Sequence, residues 1–182
     1  MNEGEIDLQQ LLQTHLRPWS PEQILIFLLL VIAGNLWLRF AVRTGRIRRK
    51  QITSIILLEF YMALVYSSTV FTRQPMERHL QLVLLAGWKA AFWDHSKEAL
   101  TVGILNILLF LPIGWLLVTA CRRTRQLPRL VLYGTAFSLF IETSQFIFRR
   151  GFSSVDDLLN NTVGCFLGIA AKQLIQGIMG ET

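Results

Sequence analysis

Long apolar runs separated by clumps of charge dominate the pattern of this chain. Five runs stand out: Pro21–Val42, Gln51–Thr72, Ala99–Cys121, Pro128–Phe148 and Asp156–Gln176. Each reaches the roughly 20 residues that a hydrocarbon core of about 30 Å requires at a helical rise of about 1.5 Å per residue. The fifth run begins differently, with Asp156, Asp157, Asn160 and Asn161 ahead of the apolar block Val163–Ala171. The pattern predicts an all-α fold, a polytopic transmembrane helical bundle of about five spans. Four spans with a re-entrant tail is the competing arrangement.

Charge sets the direction of threading. Arg43, Arg46, Arg48, Arg49 and Lys50 follow the first run, and Arg122, Arg123, Arg125 and Arg129 follow the third. Short basic loops stay in the cytoplasm, so the N-terminus is expected outside and the C-terminus inside. Five segments follow: an extracytoplasmic stretch at 1–20, a first hairpin with a basic cytoplasmic turn at 21–72, and an extracytoplasmic loop at 73–98. A three-helix core at 99–176 and a cytoplasmic tail at 177–182 complete the chain. Arg149 and Arg150 run against the rule, being basic on the outer side.

Composition adds less. The chain is 52% hydrophobic and 16% charged, against roughly 45–50% and about 25% for an average soluble domain. Its net charge of +6 is accounted for by orientation-setting loops, and no nucleic-acid partner is expected. The acidic start (Glu3, Glu5, Asp7) and the lack of a small-residue cleavage site argue against a cleaved signal peptide. Cys121 and Cys165 read as packing residues. Ile6–Leu16 has apolar positions near helical spacing, as for a short surface helix. Leu80–Trp93 is apolar but too short to span, which fits an interfacial or re-entrant segment or an ordinary amphipathic loop helix.

Polar residues inside the runs carry the candidate chemistry, because they are costly in lipid. Asn106 lies roughly 10 Å deep in the third span and Glu142 roughly 9 Å from the outer end of the fourth. Gln145 is a turn further out. Asp157 begins the fifth span, with Asn161 roughly 6 Å below it. Three helices therefore bring polar groups to one depth in the outer leaflet. Glu142, Gln145 and Arg149 share one helix side, and Asp157, Asn161, Gly164 and Gly168 form a single stripe. Gly164 and Gly168 make a small-xxx-small pattern that permits close helix approach. Arg149 or Arg150 is expected to pair with Asp157, Asp156 or Glu142. In the other half of the bilayer, Arg39 is expected to neutralise Glu59. His79 and His95 lack ligand-like partners. Neither a metal nor a cofactor is expected, and no phosphate loop, nucleophile elbow or zinc motif is present.

Asn106-Ile-Leu-Leu-Phe-Leu-Pro112-Ile-Gly114, Glu142-Thr-Ser-Gln145, the Arg149/Arg150 pair and Asp157-Leu-Leu-Asn-Asn161-Thr-Val-Gly164…Gly168 together resemble the signatures of the VanZ-like family. The resemblance spans about Asn106–Gly168, in the right order and spacing. Relatives often carry a proline before the third span, which Leu80–Trp93 lacks, and either Arg149 or Arg150 answers to the family residue. The resemblance implies a multi-pass protein of the bacterial cytoplasmic (inner) membrane. It also implies a link to the cell envelope and to resistance to teicoplanin, a lipid-tailed glycopeptide.

Several functions fit these features. The first is binding of a lipid or lipid-like amphiphile with a polar or phosphate headgroup at the outer-leaflet polar site Asn106, Glu142, Gln145, Arg149, Arg150, Asp157 and Asn161, with Arg149 or Arg150 supplying the charge-assisted contacts. The second is a membrane enzyme acting on a lipid-linked envelope precursor, with Glu142 and Asp157 as acid and base. No nucleophile or metal set accompanies them, so no residue is assigned as catalytic. The third is a structural subunit or partner of another membrane protein, with Gly114, Gly164, Gly168 and the polar network serving packing alone. A transporter is the fourth, although broken helices and repeats are missing from the pattern.

Overall fold

A computed structural model describes residues 20–44, 49–73, 75–121 and 127–179. The expected surface helix at Ile6–Leu16 and most of the two basic turns lie outside these residues.

The described residues form five long helices where the apolar runs lie. Helix α1 (Pro21–Arg43) starts at a capping box. The Ser20 hydroxyl accepts from the Gln23 N–H, and the Gln23 side chain accepts from the Ser20 N–H at 2.8 Å. Pro21 at the first helical position has no N–H to leave unmatched. The Gln23 amide also donates to the Phe71 carbonyl at 3.3 Å, tying the start of α1 to the end of its neighbour.

Helix α2 (Arg49–Tyr66) runs straight into a π-helical turn at Ser67–Phe71. The wider turn disturbs the regular ladder, and side chains take up the freed carbonyls. Ser68 and Thr69 hydroxyls donate to the Val65 carbonyl at 2.9 and 2.8 Å, and Thr72 donates to Ser68. Nothing in the hydropathy pattern marks this turn.

Between α2 and the third long helix lie strand β1 (Leu80–Gln81) and a short helix α3 (Ala86–Phe92). Strand β1 pairs in parallel with β2 (Ser153–Ser154), with Leu80 opposite Ser153 and Gln81 opposite Ser154. An isolated bridge joins Pro75 to Arg150. These short pairings fasten two loops at the same end of the bundle.

Helix α4 (Lys97–Ala120) is capped by Ser96 and carries Pro112 inside it. Proline cannot donate to the Leu108 carbonyl. The Tyr61 hydroxyl reaches this weakened turn and donates to the adjacent Leu109 carbonyl at 3.0 Å. Helix α5 (Leu127–Phe148) ends where Arg149 takes a left-handed φ of 55°, and helix α6 (Val155–Ile178) begins at the Ser154 cap.

Helices α4 and α6 run parallel in close contact, because glycine removes the side chains that would separate them. A Cβ at Gly164 would stand 2.1 Å from the Ile107 carbonyl oxygen, and one at Gly168 2.0 Å from that of Leu111. Gly114 answers from α4 against the Cys165 carbonyl. The stripe expected to press on a neighbour thus meets backbone on α4. Lys172 completes the seam over the Trp115 ring at 5.2 Å. The buried core beside this seam gathers Val65, Phe110, Ile113, Leu130, Ile141 and Ile169 from α2, α4, α5 and α6.

Among the described residues four helices, Gln23–Arg43, Gln51–Phe71, Lys97–Ala120 and Leu127–Phe148, are long and apolar enough to cross a membrane. Helix α6 matches them in length but not in composition, because Asp156, Asp157, Asn160 and Asn161 occupy its first two turns. Leu25, Leu36, Phe60, Leu105, Leu132 and Phe140 are exposed along the bundle's outer faces. Such a belt is stable in lipid and unfavourable in water.

Candidate functional site

The polar residues assemble where α2 and α5 end and α4 and α6 begin. Asp157 is half-buried, and its carboxylate accepts from the Asn106 amide at 2.7 Å. Glu142, 6% exposed, lies one helix away. One of its oxygens accepts from the Ser154 backbone N–H at 2.9 Å, while the Ser153 hydroxyl donates to its carbonyl at 3.0 Å. The α5–α6 turn therefore folds back onto Glu142 and sets the start of α6.

The cation beside these carboxylates is Arg73, just past the π turn of α2. Its charge acts on both Glu142 and Asp157. Arg73 packs over Gly151, where a Cβ would meet the arginine Cδ at 2.5 Å. Gly151 also has a φ of +78°, so this position favours glycine for both space and conformation. The pairing expected of Arg149 or Arg150 takes another form. The Arg150 guanidinium donates to the Arg73 carbonyl at 3.0 Å, and so holds the loop that presents Arg73. Arg149 is exposed in a left-handed turn, and its carbonyl accepts from the Met76 N–H at 2.9 Å. A left-handed residue closing α5 turns the chain away before the side chain can follow the helix face.

Gln145 and Asn161 are buried and stand behind the cluster. The Gln145 amide donates to the Thr69 carbonyl in the π turn at 3.1 Å, and its own oxygen has no hydrogen-bond partner. Asn161 donates to the Ser138 hydroxyl on α5 at 2.9 Å, which directs it to the helix seam. Sequence spacing did not give these partners.

Three further side chains, Asp156, Trp88 and Asn160, join the site. Asp156, 5% exposed, accepts from the Leu85 N–H and, at 2.7 Å, from the Gly87 N–H. The Trp88 indole donates to Asn160 at 2.9 Å. The start of α6 thereby clasps α3 and closes one side of a cleft of about 1260 Å³. Arg73, Asn106, Asp157, Asn160, Trp88 and Ser154 line its polar part. Val102, Leu105 and Leu108 continue the wall along α4, and they are 43%, 54% and 54% exposed. The cleft thus joins a polar end to an exposed apolar flank of one helix. Among the described residues no group of three or more His, Cys, Asp or Glu could hold a metal.

Arg73, Trp88 and Asn160 were not singled out as one site by hydropathy. Arg73 falls beyond the end of the second run, and only the turn at Gly151 brings it back. The expected neutralisation of Glu59 by Arg39 is not formed. Glu59 lies against Gly34 of α1, where a Cβ would meet its Oε1 at 2.0 Å, and that oxygen has no hydrogen-bond partner. Arg39 is five residues beyond Gly34, about 140° further round the helix, and is exposed.

The VanZ/LLP1 family model matches residues 25–176. Protein VanZ of Enterococcus faecium is 38% identical over 64 residues, covering 35% of this chain and 39% of that protein. The match thus spans about two-fifths of the length of that curated relative. No solved structure matches this chain.

Proposed function

This chain belongs to the VanZ/LLP1 family, and on that premise we propose that it holds the headgroup of a lipid or amphiphile in the cleft between α2, α3 and α4. The single observation that supports this reading is the cleft's two-part lining. Its polar end presents Arg73, Asn106, Asp157 and Asn160, and its flank presents exposed apolar residues of α4. A headgroup satisfies the first and an acyl chain the second, without either leaving its preferred medium. In this reading the polar end faces the outer leaflet of the bacterial cytoplasmic membrane, as the basic loops between the spans imply.

The family tie extends the reading to cell-envelope function and teicoplanin resistance. A protein that holds amphiphiles at the outer leaflet changes how a lipid-tailed drug or its target sits there. A second reading draws on one specific observation, the adjacency of Glu142 and Asp157. Two coupled carboxyls can divide acid and base roles on a lipid-linked substrate.

The test expresses wild type, Asp157→Asn and Glu142→Gln in a Gram-positive host. Folded protein in membranes and teicoplanin susceptibility are read together. Asp157→Asn keeps an oxygen to accept from Asn106, so folded protein is expected to persist while the wild type's effect on susceptibility disappears. A full effect from both folded variants overturns the assignment of the cleft. Loss of folded protein in both instead makes the cluster a fastening of the bundle. Turnover of a lipid-linked precursor that depends on Glu142 would favour the second reading.

A further inference from the structure

The charges lining the cleft do not match those of the chain. The protein as a whole carries +6, yet among the described residues the cleft is lined by Glu98, Asp156 and Asp157 against the single cation Arg73. Arg73 acts electrostatically on both Asp157 and Glu142, one cation to two carboxylates. Among the described lining residues, a phosphate entering here meets one cation and like charge from three carboxylates. An ammonium group meets the reverse.

The neutral lining agrees. Trp88 and Tyr61 both contribute to the cleft wall, and aromatic rings attract cations when water is excluded. Asn106 and Asn160 already spend polar atoms within the protein: the Asn106 amide donates to Asp157, and the Asn160 oxygen accepts from Trp88. Backbone N–H groups that would serve an anion are also taken. Those of Leu85 and Gly87 donate to Asp156, and that of Ser154 donates to Glu142. These three backbone donors are therefore occupied by the protein's own carboxylates. Glu98 sits exposed at the mouth, on the first turn of α4, where it can meet a cation before the interior does.

We infer that the cleft selects an amphiphile with a cationic, ammonium-bearing head over one with an anionic phosphate head. This rests on the reading of the cleft as an amphiphile site and specifies the head it takes.

The test uses the full chain in nanodiscs of neutral lipid and titrates dodecyltrimethylammonium, dodecyl phosphate, a dodecyl glycoside and tail-free tetramethylammonium. The ammonium amphiphile is expected to bind saturably and at least about tenfold more tightly than the phosphate. Tetramethylammonium should bind at least about tenfold more weakly than its tailed counterpart. Asp157→Asn is expected to narrow the ammonium-to-phosphate ratio about tenfold, the scale of one desolvated charge contact. Glu98→Gln, at an exposed position where folding is not at stake, is expected to narrow it about two- to threefold. Tighter phosphate binding, or equal binding of all heads, overturns the inference and leaves the amphiphile site standing. Equal binding with and without the tail overturns the amphiphile part and leaves a small-amine site. No saturable binding by any probe overturns the underlying reading, and the inference with it.

Discussion

Two carboxylates on the helices of this bundle live in opposite surroundings. Glu142 sits where α5, α6 and the loop after α2 meet, with the Ser154 N–H bound to one oxygen and Arg73 acting on its charge. Glu59 sits between α1 and α2, pressed against Gly34, with Oε1 lacking any hydrogen-bond partner. The packing around them differs too. Around Glu142, three helices and two loops converge, with glycine allowing backbones to touch. Around Glu59, a two-helix hairpin exposes Leu25, Leu36, Trp37 and Phe60 along its length. A polar residue in a membrane span is therefore not equally informative everywhere. One held by several elements is positioned, whereas one held by none has only its solvation cost to show.

Substitutions can break or sharpen this contrast. The largest effect is expected at the α4–α6 seam. Gly164→Leu or Gly168→Leu places a side chain where a backbone carbonyl already stands, and backbone cannot yield as a side-chain tip can. Each is expected to cost at least about 3 kcal/mol and to remove folded protein from a size-exclusion profile. Survival of either variant with a native melting temperature would mean that the seam is not as close as described.

Next comes Asp156→Ala. It strips acceptors from the Leu85 and Gly87 N–H groups, at about 1–3 kcal/mol for each donor left unmatched. The expected result is local: α3 loosens from α6, and tryptic cleavage at Lys89 rises about tenfold or more. Unchanged cleavage would remove α3 from the cleft's supporting frame.

A smaller effect is expected for Glu142→Gln. The amide oxygen can still accept from Ser154, so stability should fall by about 1 kcal/mol or less. The smallest is Glu59→Gln, expected within about 0.5 kcal/mol of wild type or slightly stabilising, since a lone intramembrane carboxyl loses only a liability. Equal damage from Glu59→Gln and Glu142→Gln, read by thermal melts in one detergent, would erase the distinction between the two regions.

Much of the helical frame was legible in the sequence, because lipid allows few alternatives to a helix and the charged clumps separate the runs cleanly. Helix α6 was the hardest to read, since its first two turns are polar and only Val163–Ala171 is continuously apolar. Its glycine stripe was visible at four-residue spacing, although the partner helix was not. In the site, Asn106, Glu142 and Asp157 could be placed by depth alone. Arg73 could not, because its approach depends on a left-handed Gly151 and on Arg150 holding the Arg73 carbonyl. Those are loop conformations, and no periodicity announces them. The π turn at Ser67–Phe71 escaped for the same reason, as one extra residue in a turn leaves the apolar run unbroken. Trp88 lies within the short apolar segment Leu80–Trp93, and only the fold gives its indole a partner in Asn160.

The claim on which the account depends is that the polar end of the cleft serves a ligand and does more than tie helices together. The most direct measurement is a paired one on purified wild type and Asp157→Asn: melting temperature, and equilibrium binding of dodecyltrimethylammonium per folded molecule. The account predicts melting temperatures within a few degrees of each other, since the introduced amide keeps an oxygen that accepts from Asn106, and an affinity at least about tenfold weaker in the variant. A variant that melts far lower yet binds as tightly per folded molecule would contradict it, and would make Asp157 part of the bundle's fastening alone.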